Sequence, residues 1–370
     1  MNIAFLIFSF NVGGIERLLI DMANEMAKRG NNITLCIIND DYDEELLSCL
    51  NQDVYIFKLN RKAGAKRNAT YMYRLAKIIR QRKIEILHCQ GINCVIFSAF
   101  TKIFSSRTKI INTVHDVGNY PSYSKGKIFL QNLILDKTIA ISKSVESEVL
   151  QKLKDNSKVV TIYNAIDLER FKVGNRVFDR RRIRIGNVAR IYPEKKGQDI
   201  LVRAVKECQE KFFGENRVLT CDFAGDIFKG QEEAFNDLIK YVKDNDLEGV
   251  VAFHGNVMDI PEFLKNIDVF VLPSRYEGFG IALIEALACG IPVVASDVDG
   301  PREIFSLAIG EKIDVGFLAH NGDSSDFAQK IYACIESYEK FNKVEIHKFV
   351  ETFFSLDKMV DKHLILYKSL

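Results

Sequence analysis

The chain has 370 residues, 47% of them hydrophobic and 27% charged, which is too long for one ordinary core and suits two domains. The net charge of +2 is unremarkable. Residues 1–170 nevertheless hold 24 Lys/Arg against 17 Asp/Glu, and residues 171–370 hold 27 against 32, so the first half is the basic one.

Met1 to Phe10 is apolar but lacks a basic leader and runs into Gly13-Gly14, so it reads as a first strand and not a signal peptide. Ile15 to Arg29 is an amphipathic helix stopped by Gly30, and Ile33 to Ile38 is the next strand. Further strands are expected at Ile84 to Cys89, Lys109 to His115, Lys137 to Ile141 and Val159 to Tyr163, with helices between them. This alternation predicts a doubly wound α/β domain. The arginine-rich segment Arg176 to Arg184 reads as an interdomain connector. Ile185 to Ala189 opens a second series of strands, near Thr220 to Ala224, Val250 to His254, Val269 to Leu272 and Val293 to Ala295. The apolar stripe Phe353, Leu356, Val360, Leu364 and Tyr367 marks a terminal helix.

Eight cysteines are scattered without a CxxC pair, mostly in apolar runs, as expected for reduced, buried thiols of a cytoplasmic protein. The longest apolar run, near Val95 to Phe104, is interrupted by Lys102, too short to span a bilayer.

The segment PSRYEGFGIALIEALACGIPVVAS, residues 273–296, holds the densest chemistry. A buried strand ending at Pro273 is followed by a Gly278-Phe279-Gly280 turn, a helix ending near Gly290, and another strand, which makes one βαβ unit. In a doubly wound sheet such a turn lies at the carboxyl edge, where a helix N-terminus offers unpaired N–H groups to an anion. The natural guest is a phosphate. Glu277 just outside the helix and Glu285 one turn inside it then read as acceptors for neutral hydroxyls, the pattern of sugar readers around a nucleotide diphosphate. By themselves the two glutamates read equally well as a solvated helix residue and a favourable charge near a helix start.

Several segments together resemble retaining glycosyltransferases of the GT-B fold, specifically glycosyltransferase family 4. Glu277 to Glu285 is the E-x7-E element. NVARIYPEKKG (187–197) resembles the family's strand-Arg-loop-Lys-Gly element. YNAIDLERF (163–171) resembles its segment at the domain junction, FSFNVGGIE (8–16) its glycine loop, and AISKS (140–144) its "vSxS" strand end. The likeness runs over nearly the whole chain. It implies two Rossmann-like domains facing a central cleft: residues 1–170 with 354–370 as the acceptor-binding domain, reached by a terminal helix that crosses back, and residues 171–353 as the donor-binding domain.

The same resemblance assigns roles. Lys196 and Arg190 would hold the donor diphosphate, the N–H groups of Phe279 and Gly280 beside Gly278 would face the phosphates, Glu285 would bind the ribose, and Glu277 would sit near the sugar hydroxyls. His115 would point at the donor sugar, whereas His88 reads as structural. Gly13 and Gly14 would let backbone approach the diphosphate or acceptor, and Gly255 and Val257 complete the donor set. Asp299 stands where the family often has the first glycine of a pair, which puts that loop's fine contacts in doubt. Fixed positive charge on the leaving group implies that no metal and no cofactor is needed, the nucleotide sugar being a co-substrate. The Asp-x-Asp triplets at 41–43, 244–246 and 297–299 read as chance.

The implied reaction is retaining transfer of a hexose or N-acetylhexosamine, from a UDP-sugar first and GDP-mannose second, to a glycan or lipid-linked acceptor in bacterial surface polysaccharide synthesis. Asn119, Tyr120 and Tyr123 are candidates to stack on an acceptor sugar. Arg61 to Lys83 carries nine Lys/Arg and no acid. It suits an anionic inner-leaflet surface or a lipid-linked diphosphate, and equally a solvated helix face. No nucleic-acid-binding module is recognisable. Two rival functions remain: a nucleotide-sugar epimerase of the same fold, against which the E-x7-E element argues, and a non-catalytic sugar-nucleotide binder, against which intact Lys196, Glu277 and Glu285 argue.

Overall fold

The computed structural model describes residues 1–62, 69–115, 117–118, 123–153 and 155–370. It divides into two compact units, Met1–Ala165 with Leu356–Leu370, and Ile166–Ser355.

The first unit runs β1 (Asn2–Ile7), α1 (Gly14–Lys28), β2 (Asn32–Asn39), α2 (Glu44–Ser48), β3 (Tyr55–Arg61), α3 (Ala69–Gln81), β4 (Ile86–Gln90), α4 (Ile92–Phe97) and α5 (Ala99–Phe104). It continues with β5 (Lys109–Val114), α6 (Lys125–Ile134), β6 (Lys137–Ala140), α7 (Lys143–Leu150) and β7 (Val159–Thr161). Its seven strands form one sheet in the order β3-β2-β1-β4-β5-β6-β7, with every pairing parallel. The order reverses between β1 and β4, so the loops after those two strands diverge and leave a crevice at the carboxyl edge.

Because alternate strand residues face opposite ways, Ala4, Leu6, Leu87 and Cys89 pack with α3, α4 and α6 on one face. Phe5 and His88 turn to the other face, their rings 5.5 Å apart.

The second unit runs β8 (Arg182–Val188), α8 (Pro193–Lys196), α9 (Gln198–Gly214), β9 (Val218–Ala224), α10 (Glu232–Asp244), β10 (Val251–Phe253), α11 (Ile260–Leu264) and β11 (Val269–Leu272). It ends with α12 (Ile281–Ala288), β12 (Val293–Ser296), α13 (Asp299–Gly310), β13 (Gly316–Ala319), α14 (Ser324–Glu336) and α15 (Lys343–Phe354). Six parallel strands follow the order β10-β9-β8-β11-β12-β13. Here the order reverses between β8 and β11. The buried faces of β8, β9, β11 and β12 pack against α9 and α14 through Ile185, Phe223, Val271, Val294 and Phe327.

The last helix, α16 (Leu356–Lys368), belongs to the first unit. It buries Leu356, Met359, Val360, His363 and Tyr367. His88 Nδ1 lies 2.7 Å from the Tyr367 hydroxyl and His88 Nε2 lies 2.6 Å from Thr113 Oγ1. Arg29 donates to Asp361 and Asp357 at 2.6 and 2.7 Å. His88 is thus a satisfied core histidine.

Several expectations are corrected. The supposed connector Arg176 to Arg184 already contains the start of β8: Arg182 and Arg184 are exposed and alternate with buried Ile183 and Ile185, the period of a strand. Arg176 is pinned by a two-bonded ion pair to buried Asp268, at 2.7 and 3.0 Å. The contact boundary falls after Ala165, ahead of residue 170. The terminal stripe is two helices, broken at Ser355, where Ile166 N–H donates to Phe354 O at 3.0 Å. Phe353 therefore lies in the last turn of α15, and Met359 and His363 are buried in α16 where the stripe had Leu364. All eight cysteines are free, but Cys49 is exposed. No helix among the described residues is long and apolar enough to cross a membrane.

Candidate active site

The loops after β8 and β11 meet at the reversal of the second sheet. Buried Asn187 ties the two strands directly, its Nδ2 donating to Val271 O at 2.8 Å. Beyond it the chain turns through the single turn of α8, whose N-terminal Pro193 suits a helix start, and stops at Gly197 with φ +68°. A Cβ on Gly197 would sit 2.0 Å from the Pro273 carbonyl oxygen, so only glycine allows this close approach to the end of β11. The consequence is chemical. Lys196 Nζ reaches Glu277 Oε2 at 2.7 Å, and Ser274 Oγ approaches the same oxygen at 3.3 Å. The pair stays partly open, with 22% of the lysine side chain and 15% of the glutamate side chain exposed.

Glu277 stands at the entrance to α12, whose N-cap is Gly280. Gly278, Phe279 and Gly280 are buried. Phe279 packs edge-on to Phe354 at 5.4 Å, and Gly300 in the first turn of α13 donates to Glu277 O at 3.0 Å. A Cβ on Gly300 would lie 2.5 Å from Phe279 Cα, so two helix N-termini press on one loop. Asp299 is the first residue of α13 and is not among the residues with positive φ, so this position needs no left-handed backbone here. Within α12 only Ile281, Ala282 and Glu285 are half-buried, and positions i, i+1 and i+4 form one face, so Glu285 stands on the helix's single open side.

Arg275 was missed by sequence reasoning. Its N–H donates to Lys195 O at 2.9 Å, and its guanidinium donates to Pro193 O at 2.6 Å and to both Asp199 oxygens at 2.8 Å. It clamps the Lys196 loop to the Glu277 loop. Its partner Asp199 is 76 positions away, and nothing local in the sequence signals that distance.

Arg190 is exposed with its guanidinium 5.0 Å from the Phe228 ring centroid, while its carbonyl accepts from Gln198 at 3.0 Å; it stands outside the Lys196–Glu277 pair. Gly255, after β10, accepts from Gly225 N–H at 2.7 Å, and Val257 is half-buried beyond it.

The other predicted residues lie in the first unit. Gly13, extended, is the N-cap of α1 and Gly14 its first residue; a Cβ on Gly13 would meet the Glu16 carboxylate at 2.4 Å. His115 follows β5, with Nε2 2.7 Å from Gln90 Oε1 at the end of β4. The carboxyl edge of that sheet thus gathers Gly13, Gly14, Gln90 and His115. Ser142 of the AISKS segment caps α7, accepting from Val145 N–H at 3.2 Å. Tyr123 is half-buried beneath Lys127, whose Nζ is 5.6 Å from its ring. Asn119 and Tyr120 lie outside the described residues.

Two of the three Asp-x-Asp triplets have local partners. Asp41 accepts from Asn11 at 2.9 Å, Asp43 caps α2, and Asp297 pairs with Arg302 at 2.6 Å.

The family model described as Glycosyl transferases group 1 matches residues 171–346, and that described as Glycosyltransferase Family 4 matches residues 12–170. N-acetyl-alpha-D-glucosaminyl L-malate synthase of Bacillus anthracis is 27% identical over 284 residues, covering 72% of this chain and 69% of that protein. The O-antigen biosynthesis glycosyltransferase WclY of Escherichia coli is 24% identical over 326 residues, covering 82% of each. In fold, HepE of Anabaena, solved in complex with UDP and glucose, superposes with a TM-score of 0.83 over 100% of both chains at 22% identity. The two family models adjoin at residue 171 and together span the site loops of both units, and on that ground the chain belongs to glycosyltransferase family 4, with the GT-B fold.

Proposed function

We propose that this glycosyltransferase moves a hexose or N-acetylhexosamine from a UDP-sugar to a hydroxyl of a glycan or lipid-linked glycan, with retention of configuration and without a metal ion, in bacterial surface polysaccharide synthesis. The observation that carries the reading is the Lys196–Glu277 pair, 2.7 Å apart at the entrance to α12. It sets a fixed cation beside a helix N-terminus and a carboxylate, the set that a diphosphate and its sugar require. The UDP and glucose held by HepE, the N-acetylglucosaminyl group in the name of the Bacillus relative and the O-antigen role of WclY support the choice of donor and setting.

An ammonium has three donors. One of those on Lys196 serves Glu277, and two remain for the oxygens of the departing diphosphate, joined by the N–H groups of Phe279 and Gly280. Glu285 accepts from the ribose and Glu277 from the sugar. The bond from the anomeric carbon to the phosphate oxygen breaks, and the bond to the acceptor oxygen forms on the same face. The acceptor proton passes to the departing phosphate, so no protein carboxylate has to act as nucleophile. Arg190 adds charge near the diphosphate.

The test is product analysis with a panel of UDP-sugars, with and without EDTA and with and without glycan acceptors. Transfer in EDTA with the anomeric configuration kept is expected. An absolute metal requirement, an inverted product, or conversion of the donor to another nucleotide sugar with no acceptor present would overturn the reading.

A further inference from the structure

Between α9 and α10, bounded also by α8 and by the Arg275–Asp199 clamp, the second unit has a cavity of about 440 Å³, the size of a site for a small organic molecule. Lys196, Glu277 and the Gly278–Gly280 turn do not line it, so the transfer reaction gives it no role. Ala234, Asp237, Leu238 and Tyr241 lie at i, i+3, i+4 and i+7 of α10 and turn one helix face toward it. Its inner lining is apolar. Val202 and Leu238 are buried, and Ala234 and Tyr241 are half-buried.

The charges of the lining do not cancel. Arg275 and Asp199 close on each other at 2.8 Å, and the Arg203 guanidinium lies 4.9 Å from the Tyr241 ring centroid. The exposed Glu194 and Asp237 border the same space, and among the described residues neither they nor Arg203 has an ion-pair partner. Two arginines against three carboxylates leave one negative charge. A single ammonium on an apolar body neutralises that charge and covers Val202 and Leu238, whereas a phosphate or carboxylate would add to the excess.

We propose that this cavity is an effector site for a small organic cation, an ammonium carried on an aliphatic or aromatic body, and that its occupation tightens the hold on the nucleoside diphosphate. The cavity and the catalytic loop share Arg275. The guanidinium that borders the cavity donates to Pro193 O and to Asp199, and so fixes the loop that carries Lys196. A ligand packed against Arg275 and Asp199 favours the closed clamp, and by linkage it is itself bound more tightly when UDP is present. The coupling rests on the reading that Lys196 meets the diphosphate, whereas the site itself does not.

The experiment is isothermal titration of the full chain with butylammonium, cyclohexylammonium and phenethylammonium, with phenylacetate as the anionic control, and then of UDP with and without the tightest-binding cation at saturation. The proteins are wild type, Glu194→Gln/Asp237→Asn, the cavity-filling Ala234→Phe and the control Glu233→Gln, on α10 outside the lining. At least one of the cations is expected to bind wild type and control while phenylacetate does not, with affinity lower by about tenfold or more in the other two variants. The bound cation is expected to tighten UDP about fivefold or more in wild type, and all four proteins to keep the same melting temperature and the same affinity for UDP alone. No binding of any of the three cations, equal binding of phenylacetate, cation binding undiminished in either variant, or a UDP affinity that the cation leaves unchanged would each overturn the proposal. A wild type that takes the cation but never binds UDP would instead count against the functional reading.

Discussion

Lys196 and Glu277, 81 positions apart in sequence, meet at 2.7 Å because Gly197 lets the loop after β8 touch the carbonyl of Pro273 at the end of β11. The contact joins the two strands at which the sheet order reverses. Lys196→Ala removes the charge meant for the leaving phosphate and leaves the sheet intact. Turnover is expected to fall by a barrier of about 3 kcal/mol, on the order of a hundredfold, with an unchanged melting temperature. A steady-state assay beside a melting curve checks this, and near wild-type kcat would refute the role.

Arg275 acts through geometry. Its bonds to Pro193 O and Asp199 hold the Lys196 loop, while its own residue lies two before Glu277. Arg275→Leu is expected to lower kcat more than it raises KM, because Lys196 loses its fixed position, and to cost roughly 1–2 kcal/mol of stability for a half-open bidentate pair. Arg275→Lys, which keeps the charge but not the fork, should recover little. Full activity in Arg275→Lys would show that charge alone matters there.

His88 and His363 give the fold a pH dependence. Burial pushes His363 down to about 4 from its ordinary 6.5, and burial with the neighbouring His363 and His115 holds His88 well below the same value. Both remain neutral when folded, whereas the unfolded chain takes up their protons below pH 6.5. Stability is therefore full above that pH and is lost as pH falls from about 6.5 toward about 4, by on the order of 3 kcal/mol for His363. Urea unfolding across this range checks it. His363→Leu should flatten the slope; an unaltered slope would remove His363 from the account.

Deleting residues 356–370 removes five buried side chains of α16, each large apolar one contributing about 2 kcal/mol, together with the partners of Arg29 and His88. The truncated chain is expected to melt well below the full chain. Hydrogen exchange should speed up in β1 and β4 while β11 and β12 stay protected. Faster exchange confined to β11 and β12 would mean that the helix supports the second unit.

The buried strands and the site loops were legible in the sequence because Val, Ile and Leu runs such as Val269 to Leu272 end in glycine-rich turns. Two edge strands, β3 and β13, were not. Tyr55–Arg61 interrupts its apolar residues with Lys58 and Asn60 along a half-covered edge, and Gly316–Ala319 opens on a glycine and is half-covered over its first three residues, so neither carries the apolar run of a central strand. Arg182 and Arg184 disguised the start of β8 for the related reason that their charges face outward. In the site, Glu277 and the Gly278–Gly280 turn could be read from local chemistry, and Lys196 from the likeness of residues 187–197 to the family's element. The Arg275–Asp199 clamp and the Gly300–Phe279 contact could not, because they depend on which loops the parallel sheet brings side by side.

The central claim is that the reversal point of the second sheet binds a nucleoside diphosphate. Hydrogen exchange of the full chain with and without saturating UDP tests it most directly, since both loops carry reporting amides. The account predicts slower exchange in peptides covering residues 193–197 and 278–282, with little change across α10 and α14. Protection confined to other segments, or none at a UDP concentration that raises the melting temperature, would contradict it.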